Sequence, residues 1–285
     1  MNEARRTLLK GMLTSAVMGA IGLSKQSFAA VPVAPERMAL LLSGTAMDAM
    51  FLAGAEAAAA EAGQPVQSIA MPRRAGIFDP GAVRDFLQAQ RGTRVVGLMD
   101  DASYVLFSEM ARDAGIALLA EGRHGQYAQA VSRHELRVAA DLHGAAEILA
   151  AGLARGGDSF AVAELPFAAS SALPGRDWSA HGFASYRVAR AQPLCLHLAG
   201  LPLASVCDAL DLPATAAEPV TRTVGRPQAL PLDGEWPALL GYALCHVGAG
   251  REARASGTAQ VFLRGDAILG QPGKLASLVS FVVDL

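Results

Sequence analysis

From Arg37 onward, short apolar runs alternate with segments of helical periodicity, separated by polar or glycine-bearing breaks. Met38 to Leu42 is continuously apolar and stops at Ser43-Gly44-Thr45, the pattern of a strand buried on both faces. Asp48 to Ala62, alanine-rich around Met50, Phe51 and Leu52, reads as a helix closed by Gly63. Val66 to Met71 is a second strand, and Asp79-Pro80 opens a helix to about Gln90 with proline in its first turn. Thr93 to Met99 is the third strand. Asp100-Asp101 then introduces a helix from Ala102 to Asp113, capped by Gly115, and Ile116 to Ala120 is the fourth strand. This alternation predicts an α/β fold whose first half is a parallel sheet flanked by helices.

Ser132-Arg-His-Glu135 has the capping-box pattern and precedes the periodic set Leu136, Ala139, Leu142, Ala146, Leu149 and Leu153, which predicts one long helix ending at Gly156-Gly157. Phe160 to Leu165 is a fifth strand. Beyond Pro166 the pattern changes to shorter apolar segments at Tyr186 to Val188, Leu194 to Leu198, Val261 to Leu263 and Leu278 to Val283, with a helix from Pro237 to Val247. The second half therefore reads as α+β. The organisation expected is a leader over 1–29, an α/β domain over 30–165 and an α+β region over 166–285.

The leader is read from Arg5-Arg6-Thr7-Leu8-Leu9-Lys10, the apolar run Gly11 to Leu23, and Ser27-Phe28-Ala29. These are the three regions of a secretory signal, and the apolar run is shorter than the roughly 20 residues a spanning helix needs. The arginine pair resembles the twin-arginine signal. That resemblance implies export in folded form by the twin-arginine translocation machinery, with Lys25 matching the basic residue near its cleavage site. Cleavage is expected after Ala29 or Ala30, releasing a soluble protein into the periplasm with no stable membrane span. The 285-residue chain carries a net charge of −2, and the leader holds four of its basic residues but one acidic residue, so the mature chain is more acidic. Binding nucleic acid by bulk positive charge is excluded. With 52% apolar and 18% charged residues, so are a disordered chain and a coiled-coil rod.

Gly54-Ala-Glu-Ala-Ala-Ala-Ala-Glu-Ala-Gly63, then Asp79 to Gly92, Val95-Val-Gly-Leu-Met-Asp-Asp-Ala102 and Glu109-Met-Ala-Arg-Asp-Ala-Gly-Ile116 are similar in order to the first lobe of type I periplasmic solute-binding proteins. The resemblance covers residues 37 to about 165 and implies that the loop after the third strand touches ligand. A flavodoxin-like domain fits the same pattern. Residues 166–285 lack the comparable strand and helix series of that family's second lobe.

Ligands of open parallel sheets sit beyond the carboxyl ends of the strands. Those ends carry Ser43-Gly44-Thr45, Pro72-Arg73-Arg74, Asp100-Asp101 with Ser103, and Glu121 with Arg123-His124. Ser43 and Thr45 before a helix offer hydroxyls and amide donors for an anion, although ordinary strand-to-helix turn and N-cap usage is the favoured explanation of the motif alone. Asp100 and Asp101 suit ligand hydroxyls or a metal, and acidic residues in a first helical turn are also favoured by the helix dipole alone. Arg123-His124-Gly125, read as a loop, joins a cation to a titratable imidazole. The ligand-binding candidates are thus Ser43, Thr45, Asp100, Asp101, Ser103, Arg123 and His124.

No Cys-x-x-Cys or His-Glu-x-x-His spacing marks a metal site among His134, His143, His181, Cys195-Leu-His197, Cys207 and Cys245-His246. The cysteines read as packing residues, with one disulfide left open by an oxidising compartment. No Gly-x-Ser-x-Gly, Ser-x-x-Lys or Gly-x-Gly-x-x-Gly motif occurs. Asp177-Trp178-Ser179-Ala180-His181-Gly182 reads as a turn pinned by a buried Trp. A non-catalytic binding or accessory protein is the reading this favours. The alternatives are an enzyme exported already loaded with a cofactor of unknown type, using His124, Asp100 and His181, and an assembly factor docking through its second half.

Overall fold

The structure is a computed structural model that describes residues 37–74, 76–116, 118–127, 132–138, 144–155, 160–166, 178–179, 182–189, 194–209, 212–220, 235–248, 257–263 and 274–285. The leader, His143, Gly156-Gly157, Asp177 and His181 lie outside these residues. In chain order the elements are β1 (Arg37–Leu42), α1 (Asp48–Ala62), β2 (Val66–Ala70), β3 (Arg73–Arg74), β4 (Ile77–Phe78), α2 (Pro80–Ala89), β5 (Thr93–Asp100) and α3 (Asp101–Asp113). There follow β6 (Leu118–Tyr127), β7 (Ser132–Val138), α4 (Gly144–Arg155), β8 (Phe160–Pro166), β9 (Ala184–Val188) and β10 (Leu194–Ala199). The last are α5 (Leu203–Ala209), β11 (Ala217–Pro219), α6 (Trp236–Gly248), β12 (Gly257–Leu263) and β13 (Lys274–Asp284).

The fold is mixed α/β. Among the described residues one sheet of 11 strands runs in the order β11-β9-β10-β8-β12-β7-β6-β13-β5-β1-β2. The β2-β1-β5 end is parallel, as the alternating pattern of the first half predicts. The parallel part stops there, because β13 pairs antiparallel with β5 on one side and β6 on the other. Its core-facing sequence Leu278-Val-Ser-Phe-Val-Val283 is apolar enough to be buried on both faces, which an interior strand requires. Strands from both sides of residue 166 share this sheet.

Two segments differ from the sequence expectation. Ser132–Val138 is strand β7, not the start of a long helix, and the helix begins only at Gly144. His134 and Leu136 alternate onto a buried face between β6 and β12, so two-sided pairing outweighs the local capping signal. Likewise β6 continues through Arg123-His124-Gly125 to Tyr127, so these residues form no loop; β7 and β13 pair with them on either side.

The sheet is covered on both faces. On one face Leu40, Leu98 and Leu278 pack with α1, α4 and α6, and on the other Leu41, Met99, Val279 and Phe281 pack with α2 and α3. Alpha carbons of α1 and α6 approach so closely that a Cβ on Gly54 would overlap the Ala238 carbonyl, and one on Gly241 the Phe51 carbonyl. No described helix is long and apolar enough to cross a membrane.

Candidate functional site

From β1 the chain moves outward to β2 and then returns to the opposite side of β1 for β5. The following helices accordingly diverge, α1 packing on one face and α3 on the other. This reversal opens a crevice at the adjacent carboxyl ends of β1 and β5, the place where open α/β sheets take ligands.

The residues at that crevice form a connected polar set. The buried Ser43 hydroxyl donates to the Leu98 carbonyl at 2.9 Å and ties the two strand ends together. Gly44, at φ 76°, turns the chain out of β1 in the left-handed region that favours glycine. Its N–H, with the N–H and hydroxyl of Thr45, donates to the Asp48 carboxylate. Asp100 caps α3, accepting from the Ser103 N–H at 3.0 Å and the Ser103 hydroxyl at 2.8 Å. Arg73 spans the crevice: its guanidinium donates to the carbonyls of Ser43 and Gly76 and pairs with Asp100 at 2.9 Å. The Arg73 and Asp100 side chains remain 26% and 29% exposed, so this pair is open to solvent and to a solute. Burial alone raises the Asp100 pKa, but the Ser103 hydrogen bonds and the Arg73 charge outweigh it and hold the carboxyl below its ordinary value.

Ser43, Thr45, Asp100 and Ser103 therefore come together as their strand-end positions suggest. Asp101 sits exposed in the first turn of α3 beside them. Arg73 is the organising residue, and its place after the second strand was the available signal. Arg123 and His124 stand apart from the set, on β6 beyond the intervening β13, and strand alternation turns them to opposite faces. Arg123 is half-exposed and pairs with the buried Glu121 at 3.2 Å. Tyr104, from α3, buries its hydroxyl near that carboxylate; burial first, then the Glu121 charge, raises its pKa.

His124 points to the opposite face and is 1% exposed. Its Nδ1 lies 2.8 Å from Nδ1 of His134, its Nε2 lies 2.8 Å from the Ser280 hydroxyl, and Trp236 stacks over the ring at 5.4 Å. Pairing across the sheet puts Asp100, Leu278, His124 and His134 in one transverse row, which continues through Val261 and Val162 to His197 and Ser185. There His197 accepts or donates at 2.8 Å to Ser185 and stacks on Trp178 at 4.0 Å. Ser280 is fully buried, so its order Ser-His-His is a core hydrogen-bond chain and not a nucleophile presented to substrate. His134, Ser280 and Trp236 come from three separated segments, so no sequence motif joins them, and the alternation of His134 with Leu136 is the one local signal.

Among the described residues no group of three His, Cys, Asp or Glu side chains converges on a common point. Burial pushes the Cys245 thiol up to about 12, which makes it an unreactive packing group. A cavity of about 780 Å³ opens at the other end of the parallel strands, lined by Arg84, Leu87, Arg91, Met110 and Leu285. It touches none of the strand-end polar groups, and it lies at the carboxyl ends of α2 and α3, where backbone carbonyls and not amide donors are exposed.

Asp100→Ala removes both the α3 cap and the partner of Arg73. The expected loss is about 1 to 2 kcal/mol of unfolding free energy in urea titration, with the fold retained by circular dichroism.

The arrangement defines an open mixed α/β protein with a solvent-reached Arg-Asp crevice at its topological switch point. No family model, curated protein or solved structure matches the chain.

Proposed function

We propose that the mature chain is a periplasmic binding or accessory protein, exported folded through the twin-arginine route, that holds a small polar organic molecule without covalent chemistry. The observation that carries this reading is the meeting of Ser43, Thr45, Arg73, Asp100 and Ser103 at the crevice between β1 and β5. Arg73 offers a planar guanidinium to a carboxylate, and Asp100, held in place by the buried Ser103, offers carboxylate oxygens to ligand hydroxyl or amino groups. The twin-arginine reading of Arg5-Arg6 supports export of a folded chain, and the resemblance of residues 37 to about 165 to a solute-binding lobe supports a ligand at the loop after the third strand.

Native mass spectrometry on protein exported by its own signal and purified without added ligand tests this reading. The expected spectrum has the leader removed and an organic adduct that Arg73→Gln weakens at least tenfold. An adduct unaffected by Arg73→Gln, or a cofactor with its own visible absorbance, would sink the crevice reading.

A further inference from the structure

The cavity at the end of the sheet away from the crevice, about 780 Å³, is of the size that takes an organic molecule, since small-molecule sites run from about 300 to 1,000 Å³. Its walls combine two kinds of surface. Leu87 of α2, Met110 in the last turn of α3, Ile116 just beyond that helix and Leu285 after β13 are apolar. Leu87 is buried, but Met110, Ile116 and Leu285 are only half-buried. They pack on the core with one side and leave apolar surface open on the other.

Arg84 and Arg91 supply the charge. They stand seven residues apart, about two helical turns, with Leu87 between them, so α2 and the residue beyond its cap turn one face to the cavity. Both arginines are exposed, and among the described residues neither guanidinium pairs with an acid. The acceptors of the β13 side are already engaged. Asp284 receives Nε and Nη2 of the buried Arg94 at 2.7 and 3.0 Å. The Leu285 main-chain oxygen accepts from the Gly92 N–H. Asp113, the last residue of α3, is the remaining acid of the lining. An incoming acid is therefore drawn to the α2 wall and repelled from the α3 side. Because this end of the fold exposes carbonyls and not amides, recognition of an anion falls to the two arginine side chains.

We propose that this cavity is a second binding site, separate from the crevice, for an amphipathic carboxylate. Arg84 and Arg91 hold the acid group, and a hydrocarbon body lies against Leu87, Met110, Ile116 and Leu285. The crevice groups are polar, whereas here hydrocarbon makes the greater part of the contact, so the two sites select different molecules. A short acid such as acetate would meet the guanidiniums alone, in water, where an ion pair contributes little.

Titration of the purified protein with hexanoate, octanoate and decanoate, at concentrations below micelle formation and followed by backbone amide NMR, tests the site. Saturable shifts are expected at Leu87 to Arg91 and at Ala114 to Ile116, with the dissociation constant falling roughly tenfold for every two methylenes added. The Arg84→Gln/Arg91→Gln variant should weaken decanoate at least tenfold. It should bind decanol, which has the same chain and no charge, as the wild type does. Both positions are exposed, so its amide spectrum should otherwise match that of the wild type. No saturable shift at these amides, a decanoate affinity equal to that of decanol, or a double variant that binds decanoate as tightly as the wild type would overturn the proposal. So would decanoate shifts confined to Arg73 and Asp100, which would place the acid at the crevice and leave that reading standing.

Discussion

Lowering the pH from about 7.5 to about 5 is expected to remove about 2 kcal/mol of unfolding free energy through His134, with a further loss in the same direction through His124. Burial holds the folded-state pKa of His134 down at about 3, and burial followed by the His134 charge holds that of His124 well below the ordinary 6.5. An unfolded chain titrates near 6.5, so it binds protons that the native state refuses. The stabilisation is therefore complete above about pH 6.5 and is lost as the pH falls below it, until the folded-state pKa values are approached. His134 contributes a slope near 1.4 kcal/mol per pH unit in that window, or about 2 kcal/mol at about pH 5, and His124 adds to it in the same direction. That loss is a large part of a typical domain's stability of about 5 to 15 kcal/mol. Urea titrations across the window check it, with the His124→Gln/His134→Gln double variant as the comparison. The wild type should lose stability steeply and the double variant should follow a shallower line set by its carboxylates. Parallel lines would show that the two rings take up protons in the folded state.

The second large effect belongs to the crossing of α1 and α6. In an exposed helix Gly→Ala stabilises by about 1 kcal/mol. At Gly54 the sign should reverse, because the added methyl would overlap the backbone carbonyl of Ala238, which cannot move as a side-chain tip can. Gly54→Ala is expected to cost about 2 to 3 kcal/mol, the upper part of the range of about 1 to 3 kcal/mol found for forced overpacking. Gly241→Ala meets the Phe51 carbonyl and should behave alike. The two helices share one contact, so the double variant should cost less than the sum of the singles. A Gly54→Ala protein with a melting temperature at or above wild type would show that the helices stand further apart.

The first half of the fold was legible because its rules are local. Met38 to Leu42 and Thr93 to Met99 are apolar on both faces, and Gly63, Pro80 and Asp100 mark helix ends that the structure places within a residue or two. The second half was legible only as segments. Leu278 to Val283 reads as a strand, but nothing near it in sequence says that it enters the sheet between β5 and β6. That insertion extends β6 through His124, and pairing to β12 turns Ser132–Val138 into a strand against its capping box. Both are cases in which partners distant in the chain override a short-range signal.

The crevice was legible in the same uneven way. Ser43, Thr45, Asp100 and Ser103 follow from the rule that ligands gather at carboxyl strand ends, and each stands at such an end. His124 looked like their neighbour because its strand was read as ending at Ala120. The extended strand instead carries it into the core, one strand beyond Leu278 in the row that starts at Asp100. Gly54 was a signal of another kind, since a glycine in mid-helix marks close backbone approach.

The crevice itself is tested most directly by backbone amide NMR of the mature protein during titration with a set of small carboxylic, hydroxy and amino acids. At least one member is expected to shift the amides of Ser43 to Thr45, Arg73 and Asp100 to Ser103 saturably, and Arg73→Gln should weaken that response at least tenfold. Saturable shifts confined to Arg84, Arg91 and Leu285 at the opposite cavity, or no shift with any member, would contradict it.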